Sequence, residues 1–195
     1  MKTPYSKLLN HALIGAFISV LPVAYGQTEF KTEPDKTMAA ANESFVKGET
    51  KKAGEDIDKA ADYVKKQAQH VGESSKADMD KAGAELDKLG EGVKSGTVKS
   101  EADLKKTFAK VDHQMAISWH KTAEEAQKLG KDSKADLAKA GAALDGAAKW
   151  SGNQLDEGTH KTLDAVKHAS NATSEQVQKW WKSIGDGIDD LGHKL

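Results

Sequence analysis

The sequence predicts an all-α protein: long amphipathic helices with an 11-residue apolar period, folded as helical hairpins or an elongated bundle, behind a disordered N-terminal leader. Three observations carry that prediction. Alanine, lysine and acidic residues dominate, and no proline follows Pro34, so helix is the natural state of everything downstream. The stretch Lys52-Ala53-Gly54-Glu55-Asp56-Ile57-Asp58 returns as Lys81-Ala82-Gly83-Ala84-Glu85-Leu86-Asp87 and as Lys139-Ala140-Gly141-Ala142-Ala143-Leu144-Asp145, with starts 29 and then 58 residues apart. Twenty-nine residues are about eight turns at roughly 3.6 residues per turn, so copies on one continuous helix would face the same way. Finally, apolar or small residues occupy 53, 57, 60, 64, 68, 71, 75, 79, 82, 86, 89 and 93, in repeated steps of 4, 3 and 4. That period of about 3.67 residues per turn holds a nearly straight stripe.

Residues 1–26 read as a secretory signal peptide: Lys2 and Lys7, an apolar run from Ala12 to Val23, then the small-residue site Ala24-Tyr25-Gly26, with cleavage before Gln27. A run of about 12 residues is too short to cross a bilayer that needs roughly 20. With no cysteine there is no lipoprotein-type lipidation site, disulfide or thiolate metal site. The mature chain is expected in the periplasm, or secreted, for a bacterial source. Residues 27–48 read as a flexible leader, with helix beginning near Thr37 or Asn42, faltering at Gly48 and restarting after Thr50.

Residues 49–158 are the repeated amphipathic region. The frame continues at 11-residue spacing through Ala60, Val71, Ala82, Val93, Leu104, Met115, Ala126, Leu137 and Ala148. Hairpin corners are expected at the breaker cluster Gly90, Gly92, Ser95 and Gly96, and at Ser151-Gly152-Asn153. Gly72 to Asp87 matches Gly130 to Asp145 at 11 of 16 positions. Ser75 and Ser133, each with an Asp three residues on, resemble capping signals. Continuity of the face nevertheless predicts a kinked or continuous helix through Gly72 and Gly130. Lys106-Thr107-Phe108 with Val111 and His113 recurs as Lys161-Thr162-Leu163 with Val166 and His168, as duplication of a helical unit would produce.

Residues 159–195 form the C-terminal helical segment, opened by a capping box of Thr173 and Gln176. Val177, Trp180, Trp181, Ile184, Ile188, Leu191 and Leu195 share one side of it, flanked by Gly185, Gly187 and Gly192, which allow close approach of a partner backbone. The tryptophans either close a small helical core or seat the helix at a lipid interface, where indole is favoured. Val177, Trp180, Trp181, Ile184, Ile188 and Leu191 are the candidate partner or lipid contact face.

Among the 29 basic side chains there is no arginine, and the net charge of −1 leaves no basic footprint, so nucleic acid is not an expected partner. His113 with His120, or His160 with His168, could share a helical face, but no His-Glu-x-x-His unit supplies the three or four ligands a metal needs. Acid pairs such as Asp56 with Asp58 and Asp189 with Asp190 sit on polar faces among lysines and read as solvated surface, not acid/base machinery. Nucleophile, phosphate-loop and dinucleotide motifs are absent. Asn171-Ala172-Thr173 fits the glycosylation pattern. No catalytic, cofactor or metal residue is assigned, and the chain is read as non-enzymatic.

The Lys/Ala/acid pattern, seen in Thr122-Ala123-Glu124-Glu125-Ala126-Gln127-Lys128 and the Lys-Ala-Gly copies, resembles the late-embryogenesis-abundant group 3 proteins and the exchangeable apolipoproteins over about residues 50–150. The resemblance implies helices that coat membranes, lipids or dehydrating proteins. The tryptophans and glycine-rich corners depart from it, and no single functional residue carries over. The expected function is an exported amphipathic-helical binding or structural protein of the cell envelope, with a lipid surface, an envelope protein or its own copy as partner. The alternatives are a desiccation-type stress-protective shield and histidine-mediated metal binding.

Overall fold

The computed structural model describes residues 33–168 and 171–195, and these are helical throughout apart from turns. Among the described residues seven helices follow in order: α1 (Asp35–Val46), α2 (Thr50–Gln67), α3 (Glu73–Lys94), α4 (Glu101–Lys128), α5 (Lys134–Ser151), α6 (Glu157–Lys167) and α7 (Ser174–Gly192). The signal peptide expected at 1–26 lies outside the described residues. Within the expected leader, residues from Asp35 onward are α1, and its Met38 and Ala41 are buried. Met38 and Ala41, one turn apart, dock this short helix, with Ala39 and Phe45 packed partly buried beside them.

The apolar frame is the buried frame. Ala53, Ile57, Ala60, Val64, Ala68, Ser75, Met79, Ala82, Leu86, Leu89 and Val93 are all buried, and Val71 packs partly buried against them. The helices that carry it, however, do not run through. Instead of continuing across Gly72, α2 ends at Gln67 and Gly72 caps α3 in extended geometry (φ −62°, ψ 155°). Gly130 likewise follows the end of α4 with φ +67°, a left-handed turn that costs a side-chain-bearing residue about 1–2 kcal/mol. The physical reason is that a lone stripe buries nothing: folding back at Gly72 and Gly130 sets the stripes of α2 and α3, and of α4 and α5, against each other. The corners expected near Gly96 and Gly152 are present, both with positive φ, whereas Gly90 and Gly92 lie inside α3.

The Lys-Ala-Gly copies set the helix spacing. A methyl on Gly54 of α2 would stand 3.0 Å from the Gly90 carbonyl oxygen of α3, and one on Gly83 would stand 3.5 Å from that of Ala61, so the two backbones approach closely. The third copy faces elsewhere: Gly141 of α5 meets Leu163 of α6 and Ile184 of α7. The serine caps did not form as expected. Ser133 holds the N-cap position of α5 without a side-chain cap bond, and Ser75 is buried within the first turn of α3. The capping box of α7 is complete: Gln176 N–H donates to Thr173 Oγ1 and Thr173 N–H to Gln176 Oε1.

Helix α4 is the spine. Its 28 residues extend about 42 Å at 1.5 Å per residue. On one side α1, α2 and α3 complete a four-helix set with it; on the other α5, α6 and α7 complete a second. Trp150 of α5 links the sets, packing edge-on to Phe108 of α4 at 4.9 Å and donating Nε1–H to Asp35 of α1 at 3.0 Å. No described helix is long and apolar enough to cross a membrane.

Candidate functional site

The face predicted for partner contact divides along α7. Ile184, Ile188 and Leu191 are buried in the second helical set, while Val177, Trp180 and Trp181 are half-buried against it. The flanking glycines, expected to admit a partner backbone, admit side chains instead, Gly187 meeting Thr159 of α6 and Leu144 of α5, and Gly185 and Gly192 meeting histidines of α4. His120 Nε2–H donates to the Trp181 carbonyl at 2.9 Å, and His113 Nε2–H to the Ile188 carbonyl at 2.8 Å. The rings fill the notches at Gly185 and Gly192, where a methyl would stand 3.1 Å and 3.0 Å from His120 and His113. Both histidines are therefore committed to α7 backbone. Among the described residues, no three His, Cys, Asp or Glu side chains converge as metal ligands. Asp189 and Asp190 are exposed, as the polar-face reading has it, whereas Asp56 is buried and ion-paired with Lys59 at 2.6 Å.

Among the described residues, a cleft of about 850 Å³ opens where the two helical sets meet, between the start of α1, the end of α2, α4, α5 and the end of α6. Small residues at one-turn spacing on α5, namely Ala138, Ala142 and Gly146, form its floor; Tyr63 of α2 and Met115 and Trp119 of α4 form its wall. The cleft exists because α5 presents alanine and glycine where a bulkier helix would close the gap. Lys139 arches over the Trp119 ring with Nζ 3.7 Å from the ring centre, a cation–π contact that leaves Trp119 buried beneath an exposed lysine. At the rim Lys149 binds Asp145 at 2.9 Å, and Lys167 reaches Asp145 at 4.0 Å and Asp164 at 3.9 Å.

At one end of the cleft lies a buried acid pair. Asp35 lines it, and Asp112 of α4 stands behind, wholly buried. Gly146 makes their meeting possible: a methyl there would fall 2.7 Å from Asp112 Oδ2 and 2.7 Å from Asp35 Oδ1. Burial pushes the Asp112 carboxyl well above its ordinary value of 3.8, and the neighbouring Asp35 charge pushes it the same way. Burial also raises Asp35, against the lowering effect of its hydrogen bonds with Asp112 and Trp150. No hydrogen-bond donor reaches either Asp112 oxygen. Burial likewise raises the Tyr63 phenol, with Glu33 and Asp35 adding to the shift.

Sequence reasoning passed over Asp35, Asp112, Trp119 and Lys139. One signal was available: Asp112 follows Phe108 by four and precedes Met115 by three, which puts an acid on the apolar stripe of α4. Nothing in the sequence brings Asp35 to it. Comparisons with protein-family models, with curated proteins and with solved structures find no match for this chain.

Proposed function

We propose that this chain is an exported, non-enzymatic binding protein of the cell envelope that holds its partner in the cleft along α5. What supports the reading is the economy of its apolar surface. The repeated stripes and the inner half of α7 are spent on the protein's own core, whereas the cleft floored by Ala138, Ala142 and Gly146 and walled by Tyr63, Met115 and Trp119 leaves an apolar concavity open among the described residues. A pocket of about 850 Å³ with an apolar floor and wall and charged side chains at its rim has the size and build of a ligand site. Replacing Ala142 at the floor with Trp should fill the cleft, abolish partner capture and leave the helical circular dichroism unchanged. Capture undiminished by that substitution would remove the cleft from consideration.

A second reading, engagement of a lipid surface, draws on the half-buried Val177, Trp180 and Trp181 at the start of α7. Vesicles of mixed zwitterionic and anionic lipid distinguish the two. A blue shift of tryptophan emission that disappears in Trp180→Ala and persists in Ala142→Trp supports the lipid surface; no shift leaves the cleft.

A further inference from the structure

We infer that the cleft takes an organic amine, its apolar body against Trp119, Tyr63 and Met115 and its ammonium directed at Asp35, with Asp112 behind. The inference rests on the reading of the cleft as the binding site and names the ligand class.

Two independent features point to a cation. The first is at the wall, where the Trp119 face already carries an ammonium, that of Lys139 at 3.7 Å. An indole face attracts cations through its quadrupole, most strongly where water is excluded. Lys139 is itself exposed, so its side chain swings away without disturbing the core, and a ligand cation or its apolar body takes the vacated face.

The second is at the end of the cleft. Asp35 lines the cleft and accepts from Trp150 Nε1 at 3.0 Å, with the buried Asp112 carboxyl behind it. Both Asp112 oxygens are fully buried and without a hydrogen-bond donor. Buried acceptors without donors are rare, because each loses its hydration uncompensated. An ammonium bound at Asp35 supplies charge-assisted N–H donors and balances the negative charge of the pair. Gly146, lacking a side chain, leaves the room in which the two carboxyls meet, so that Asp112 can stand directly behind Asp35. An anionic ligand finds less: Lys149 and Lys167 are engaged by Asp145 and Asp164, and Glu33 adds a further acid to the lining.

Titration calorimetry of the protein at neutral pH tests this with three probes of matched size: 2-phenylethylamine, neutral 2-phenylethanol and anionic 3-phenylpropionate. The expected result is that the amine binds at least tenfold more tightly than the alcohol and that the propionate does not bind. Asp35→Asn should weaken amine binding about tenfold. Lys139→Met, a surface change that leaves the fold intact, should tighten it severalfold by clearing Trp119. Binding of the alcohol or propionate as tightly as the amine overturns the ligand class while keeping the cleft as a site. Affinity for the amine that is unchanged in Lys139→Met overturns the assignment of the Trp119 face. No binding of any probe, in the protein or in Lys139→Met, overturns the amine inference and the cleft reading together.

Discussion

His120 of α4 donates its Nε2–H to the carbonyl of Trp181 at 2.9 Å and stacks on the same residue's indole, with ring centres 4.7 Å apart. The contact is repeated one heptad away by His113 and Ile188, so α7 is registered on α4 at two points. Each ring also occupies a glycine notch. His120→Ala is therefore expected to cost about 1–3 kcal/mol, combining a hydrogen bond and an aromatic contact. Gly185→Ala adds helix propensity worth about 1 kcal/mol but crowds the ring. The two changes should couple, Gly185→Ala being more favourable in the His120→Ala background than alone. A urea-melt double-mutant cycle measures this, and strict additivity would contradict the notch.

The buried acid pair makes a pH prediction. Both folded-state values lie above the ordinary 3.8. A raised folded value means the protonated pair contributes its stability fully below that ordinary value and loses it as pH rises through the raised one. Lys149, Trp150 and Asp145 are the other polar groups acting on the pair. Asp112→Asn, whose amide supplies Asp35 with a donor at every pH, should gain about 1–3 kcal/mol near pH 7.5. Its advantage should shrink near pH 4.5. Urea unfolding of both proteins at the two pH values checks it; an equal gap at both would show that the pair does not titrate there.

The α2–α3 approach depends on Gly54 and Gly90. Gly54→Val places side-chain atoms where the Gly90 carbonyl oxygen and the Lys94 side chain now lie. Overpacking of this kind typically costs 1–3 kcal/mol, roughly, plus the poorer helix propensity of valine. Gly48→Val, at a corner with nothing within 4 Å, should cost only the left-handed strain of its φ of 78°. Thermal melts of the two variants separate crowding from strain: loss of Lys94 packing should appear only in the first.

The capping box at Thr173 fixes the start of α7. Thr173→Ala removes the acceptor for Gln176 N–H and should cost about 1 kcal/mol. Because the second half of α7 is held by Ile184, Ile188 and Leu191, the loss should be local. Hydrogen exchange should speed up from Glu175 to Lys179 and stay slow beyond Ile184; uniform acceleration along α7 would falsify the two-part description of the helix.

The sequence by itself determined the class and the faces. Residues such as Ile57, Leu86 and Val93 recur in a period only a helix can align, and the capping box at Thr173 needs only four consecutive residues. Such features are local, and local chemistry is written in neighbouring positions. Tertiary structure alone decided what each face meets. A periodic stripe is satisfied equally by a partner, a membrane or its own hairpin, so periodicity did not fold α2 back at Gly72 or turn Ile184 and Ile188 inward. The histidine rings found the glycine notches, and Asp35 found Asp112 across 77 residues of chain, because packing brought together groups whose separation in sequence carries no record of their contact.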